Sequence, residues 1–406
     1  MVSPAASSEP VPVAGGDGAV RSSPSAVPTL RDLWPVAGAF ASIGLLVGSW
    51  QVATPELSDL LGGPGRFGLV LSVGLLASAA ATAVGGAVAE RRGTGALLTA
   101  SLVVWALLVT VTAAMPAPWP LAALLVVTFG VNGLLDVAAN ITATAAYSAR
   151  PGRLVQMHAS FNFGGVLGCL VVGVALGLAG PSGWRWAWPA VALVAVVVAW
   201  RGRRVSMPAS AAGAHVRVLD GLRALHRERL VVVAVAFALG AVVEGGVGTW
   251  GVLHLRRQLD AGLLLGAGGA VVGFAVAGVV RSSMGGVQSR RSAHQVLVVG
   301  TGAATAGLLV LAFAPWPGVA AAGLVAAAGG VAVTWPLLLA EVGRDQERPA
   351  VLVGAASTLG YAGLVGGPVL LGAVVAAFGT RVALVLVAVL ASLIAPCALV
   401  HRRRTT

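Results

Sequence analysis

The chain has 406 residues, of which 57% are hydrophobic and 10% charged, against roughly a quarter charged in a soluble domain; a surface mostly in water is excluded, and lipid must cover much of it. The formal charge of +12 comes from 26 basic residues, all arginine. They sit in short gaps between apolar runs rather than on one face, which excludes nucleic-acid binding.

The first 30 residues are rich in Pro, Ser, Ala and Gly and hold no apolar core of signal-peptide type, so a disordered tail is expected over 1–33. A membrane span needs about 20 apolar residues to cross about 30 Å of hydrocarbon. Runs of that kind lie at about 35–55, 67–89, 95–114, 121–146, 158–180 and 184–200, and again at 230–253, 261–281, 295–314, 318–340, 350–378 and 380–400. The eleventh is long, and a tilt or kink near Pro368 is expected there. The result is an all-α polytopic chain of about twelve spans: six in 34–200, six in 230–400, and a basic tail at 401–406. Between the halves, 201–229 carries Val218, Leu219, Leu222 and Leu225 opposite Arg217, Arg223 and Arg227. That pattern predicts a basic amphipathic helix on the cytoplasmic membrane surface.

Arginine placement tests the count. With a cytoplasmic N-terminus, twenty-one arginines fall inside, and only Arg66, Arg185, Arg256, Arg257 and Arg381 fall outside. The bias supports an N-in, C-in topology in a cell (inner or plasma) membrane. The halves also repeat. Gly48-Ser49-Trp50 reappears as Gly248-Thr249-Trp250, and Gly164, Gly168 and Gly173 align with Gly363, Gly367 and Gly372. Parallel six-span halves are a repeat known in secondary transporters.

Two acidic residues lie inside spans: Asp136 in span 4 and Glu244 in span 7. Placing an aspartate at the centre of a lipid-facing helix costs on the order of 3 kcal/mol, so both are expected to face the bundle interior and to serve as proton-coupling carboxylates. Asn132, Asp136 and Asn140 are spaced i, i+4, i+8, a polar row on one helix side. His158 and Asn162 form a similar pair in span 5. Trp50, Gln51, Trp250 and His254 lie towards the outer ends of spans 1 and 7. An indole there can anchor at the interface or stack on a flat or sugar-like ligand. Trp50, Gln51, Asn132, Asn140, His158, Asn162, Trp250 and Tyr361 are the expected cavity contacts, with Trp335 weaker. Cys169 and Cys397 fall in apolar runs and read as packing residues. No His/Cys/carboxylate cluster has metal spacing and no G-x-x-x-x-G-K-[ST] loop is present, so no cofactor, no metal and no ATP-driven pumping are expected.

Gly86, Glu90, Arg91 and Gly93, between spans 2 and 3, fit G-x-x-x-[DE]-R-x-G. This resembles the loop signature of major facilitator transporters, although Thr94 and Gly95 stand where that family places a basic residue. Gly133-Leu-Leu-Asp136-Val137-Ala-Ala-Asn140 and His158-Ala-Ser-Phe161-Asn162-Phe-Gly164-Gly165 are similar to stretches of fucose-permease-like bacterial transporters. Asn162 replaces their common serine. Glu244-Gly245, Trp250, Gly360-Tyr361 and Gly367-Pro368 also match, whereas Ala53 replaces an arginine usual between Trp50 and Pro55. The resemblance implies two six-helix bundles around a central cavity, a cytoplasmic gate at Gly86, Glu90, Arg91 and Gly93, and no enzymatic activity. It also implies a monomeric permease that moves a small solute such as a sugar, driven by protons. Export of a drug or secondary metabolite is the alternative within transport, and a non-transporting sensor the alternative outside it.

Overall fold

The computed structural model describes residues 31–147, 151–204, 223, 225–288, 290–343 and 349–403. The tail expected over 1–33 falls almost wholly outside the described residues, as do most of the predicted linker helix and the side chain of Glu90.

Twelve helices follow in chain order: α1 (Trp34–Leu60), α2 (Pro64–Arg92), α3 (Thr94–Ala114), α4 (Pro118–Tyr147), α5 (Pro151–Ala179), α6 (Trp184–Gly202), α7 (Val231–Leu253), α8 (Leu263–Gln288), α9 (Ala293–Phe313), α10 (Pro317–Val331), α11 (Thr334–Gly343) and α12 (Pro349–Arg403). Nine helical segments among the described residues are long and apolar enough to cross a membrane. One of them, Thr358–Cys397, holds two spans, because Gly379 breaks the helix with φ 84°. The parts of α12 before and after Gly379 are spans 11 and 12. The short α6 and a tenth span split between α10 and α11 complete twelve crossings, so the chain ends on the membrane face where α1 begins. That face is called the near face below, and the opposite one the far face.

Pro368 lies inside span 11 with helical torsions, and the non-helical torsions at Gly379 separate spans 11 and 12. One expectation is corrected. Span 10 is not continuous. Pro336 has no N–H to donate to the Ala332 carbonyl four residues earlier, and the helix breaks between Val331 and Thr334.

The helices pack as two bundles. In the first, α1 packs on α5, α2 on α4, and α3 on α4 and α6; in the second, α7 packs on span 11, and α10 on α8 and α9. Glycine explains the tightest crossings. A Cβ on Gly44, Gly48, Gly164 or Gly168 would fall 1.9–2.1 Å from the backbone oxygens of Phe161, Gly165, Ala41 and Leu45 respectively. Removing the Cβ lets α1 and α5 touch backbone to backbone, the contact that drives association where lipid weakens the hydrophobic term. Gly363 does the same in the second bundle, where its Cβ would fall 2.3 Å from the Ala238 oxygen.

The repeat also organises the seam between bundles, where α2 packs on span 11 and α5 on α8. Gly173 faces Ala267 of α8, and its counterpart Gly372 faces Pro64 and Gly68 of α2. Two far-face arginines follow the same symmetry. Arg185, at the start of α6, donates to the Ala113 and Met115 carbonyls at the end of α3 (2.7 and 2.6 Å). Arg381, at the start of span 12, donates to the Ala312 carbonyl at the end of α9 (3.1 Å). Each caps carbonyls that a helix end leaves without partners.

Candidate functional site

The polar row on α4 is present. Asn140 Nδ2 donates to Asp136 Oδ1 (3.0 Å) and to the Asp136 backbone oxygen (2.9 Å). One turn away, Asn132 Oδ1 is buried without a hydrogen-bond partner. Trp50 of α1 stacks obliquely on Phe129 of α4, with centroids 4.8 Å apart, and its indole N–H is also buried without a partner. Gln51 lies across the bundle seam, over Gly248 of α7.

Glu244 finds a partner that the sequence reading assigned to the cytoplasmic loops. Arg281 ion-pairs with it across α7 and α8, their side chains 13% (Arg281) and 36% (Glu244) exposed. Arg281 was placed at the cytoplasmic end of span 8 because the apolar run stops there. The helix instead continues to Gln288, which leaves Arg281 about 10 Å inside its end at 1.5 Å per residue. The guanidinium also reaches Asn162 Oδ1 of α5 (3.4 Å) and the Ala332 oxygen (3.3 Å). Ala332 O is the carbonyl that Pro336 leaves free, so the helix break and the arginine satisfy each other. One side chain thereby joins α5 of the first bundle to α7, α8 and the α10–α11 break of the second. The Asn162 amide nitrogen is buried with no partner.

The remaining expected cavity contacts divide. His158 packs on Phe40 of α1 (4.6 Å). Tyr361 meets Trp335 edge-on (6.3 Å), and Trp335 packs on Phe237 (4.1 Å). Trp250 is 1% exposed, with its ring edge-on to Phe67 of α2 (6.1 Å). The ring packs in the seam between α7 and α2. His254 is buried too, its Nδ1 within 2.7 Å of Thr380 Oγ1. Cys169 packs in the α1–α5 crossing, its thiol donating to the Gly48 oxygen (3.3 Å). At the α2–α3 turn, Gly93 adopts φ 86°, the left-handed region that ends a helix without strain only for glycine. Gly86 has open space around it, and Arg91 is exposed in the last turn of α2.

The far face carries a feature that the sequence reading missed. After Leu253, α7 widens into a π turn over His254–Gln258, which presents Arg256 and Arg257 towards α1. Arg256 binds Glu56 bidentately (2.6 and 2.9 Å) and also donates to the Val52 oxygen (3.0 Å). Arg257 pairs with Asp59. Both pairs cross between the bundles. The Arg256–Glu56 pair is largely buried, at 18% and 8% side-chain exposure, whereas the Arg257–Asp59 pair lies open to solvent. The available signal was the arginine doublet itself, an exception to the arginine-poor outer loops.

Among the described residues no cluster of metal-ligating side chains occurs. Two six-helix bundles meeting at a polar, charged seam define a secondary transporter of the alternating-access type, a multi-pass membrane protein and not an enzyme. The model of the Major Facilitator Superfamily matches residues 36–365, and the chain belongs to that family.

Solved structures share the fold. A bacterial homologue of the human lysosomal transporter Spinster, in an inward-facing and occupied conformation, superposes with TM-score 0.74 at 14% identity, over 93% of this chain and 98% of that one. A variant of the nucleoside transporter NupG gives 0.73 at 13%, over 91% and 99%. A variant of the E. coli fucose:proton symporter FucP gives 0.61 at 16%, over 92% and 98%. A search of curated proteins gave no match.

Proposed function

We propose that the chain is a proton-coupled permease for a small polar solute of the sugar or nucleoside kind, within the fucose-permease-like branch and acting as a monomer. The supporting observation is a set of buried polar groups without partners on α1, α4 and α5 of the first bundle: Asn132 Oδ1, Asn162 Nδ2 and the Trp50 indole N–H. Buried groups of this kind are rare unless something else satisfies them. One amide acceptor, one amide donor and an indole N–H suit a hydroxylated solute with an apolar ring face. Asp136, held by Asn140, is the carboxylate that exchanges the proton. Glu244, paired with Arg281, is the second proton-coupling carboxylate, and Gly86, Glu90, Arg91 and Gly93 form the cytoplasmic gate. The fucose:proton and D-xylose-proton symporters, which share the fold, are in line with this reading.

The test is solute-triggered charge movement in proteoliposomes across a panel of sugars, nucleosides and amphipathic drugs. Wild type is expected to carry current with a sugar or nucleoside. Asp136→Asn is expected to bind the same solute and carry none. An unchanged current in the variant removes Asp136 from coupling. Current with the drugs alone replaces the permease reading with the exporter one.

With the N-terminus inside, the far face is external, and the Arg256–Glu56 and Arg257–Asp59 pairs act as the closed outer gate. Glu56→Gln leaves Arg256 charged and without its carboxylate, which disfavours the closed far face. Spin labels on the far-face ends of α1 and α7 are expected to show a longer mean distance in this variant. An identical distance distribution would mean that the pair does not hold the gate.

A further inference from the structure

We propose that a second, non-transport ligand sits on this protein: one anionic phospholipid of the near-face leaflet, its acyl chain lying in a lateral cleft between α8, α9 and α10 and its phosphate on Arg291. The cleft has a volume of about 880 Å³ and lies away from the bundle seam. It exists because α9 and α10 cross on glycines. A Cβ on Gly330 would fall 2.5 Å from the Gly300 oxygen and the Ala304 nitrogen, and one on Gly307 would fall 2.6 Å from the Gly323 oxygen. Backbones this close, with Ala303, Ala326 and Gly329 alongside, leave a trough rather than a ridge on the lipid side. Val299, on its rim, is 72% exposed.

Length and charge identify the occupant. The lining runs from Gln295 to Ala303 on α9 and from Ala322 on α10 to Val333 in the break after it. At 1.5 Å per residue these stretches measure about 12 and 16 Å, close to half of a hydrocarbon core about 30 Å thick. The cleft is therefore one leaflet deep, the reach of an acyl chain. Its polar groups stand at one end only: Arg291, just beyond α8, and Gln295, in the first turn of α9. Gln295 Oε1 accepts from the Ser292 N–H in a capping box (3.2 Å), which leaves its amide N–H groups as donors. Among the described residues no acidic side chain lines the cleft. Arginine plus amide donors at the membrane surface match a phosphate.

The test uses the full chain in vesicles of phosphatidylglycerol and phosphatidylcholine in equal amounts, followed by mass spectrometry of the intact protein. Wild type is expected to retain a single lipid, with phosphatidylglycerol favoured about fivefold, as expected for one basic residue near the surface. Arg291→Gln is expected to bring the two lipids to parity. Ala326→Leu, or Ala303→Leu if the first does not fold, is expected to lose both while unfolding at the wild-type temperature. Equal retention in wild type, a preference that survives Arg291→Gln, or a lipid-free dimer as the main species would each overturn the proposal.

Discussion

Arg281→Met is expected to destabilise the purified protein by about 2–3 kcal/mol. The loss lies below the 3–5 kcal/mol typical of breaking a fully buried pair, because Glu244 keeps about a third of its side-chain exposure and water screens it in part. The substitution strands the Glu244 carboxylate and removes the donor to the Ala332 oxygen that Pro336 leaves free. The double variant Arg281→Met/Glu244→Met removes both charges and is expected to recover much of the stability without recovering transport. Thermal unfolding of wild type, the two singles and the double gives the coupling energy directly. Singles and double with additive losses would mean that the two groups do not interact. Full transport in the double would mean that the pair is structural only.

Glycine substitution in the α1–α5 crossing is expected to have the largest effect on folding. In Gly48→Ala the new Cβ would fall 2.1 Å from the Gly165 oxygen and within 3 Å of its carbonyl carbon and Cα. All three atoms are backbone, so no rotamer change relieves the clash and a helix must move. Overpacking costs about 1–3 kcal/mol where side chains can adjust, and more is expected here, with little folded protein recovered. The repeat provides internal controls. Gly168→Ala meets the Leu45 oxygen at 2.1 Å and should be nearly as damaging. Its counterpart Gly367→Ala meets Val242 at 3.5 Å, an ordinary contact, and should be tolerated. Gly302→Ala, with open space around it, should be neutral. Size-exclusion recovery and melting temperature of the four variants test the order. Equal behaviour of Gly168→Ala and Gly367→Ala would contradict the packing described.

Much of this arrangement was legible beforehand. Apolar run length gave twelve spans, and the pairing of Gly164 and Gly168 with Gly363 and Gly367 pointed to equivalent crossings. The cost of a charge in hydrocarbon singled out Asp136 and Glu244. What escaped were contacts between distant parts of the chain. Arg256 and Arg257 read as outer arginines, and Glu56 and Asp59 lie just beyond the apolar run of span 1. Only the pseudo-twofold packing of the bundles, which brings α1 and α7 together, pairs residues about 200 positions apart. Pro336 was visible in span 10, but the carbonyl it frees acquires meaning only when Arg281 arrives from α8.

The sequence by itself determined the membrane class, the number of spans, the six-plus-six division and the two intramembrane carboxylates. Each of these follows from a local sum: apolar length against bilayer thickness, or charge against desolvation cost. The tertiary structure decided which charges are partners, where helices break, that Trp250 packs in the seam, and where a lateral cleft opens. These depend on how helix surfaces meet. Two bundles of similar hydropathy can meet in many registers, and only backbone contact at specific glycines and the pairing of buried charges select one.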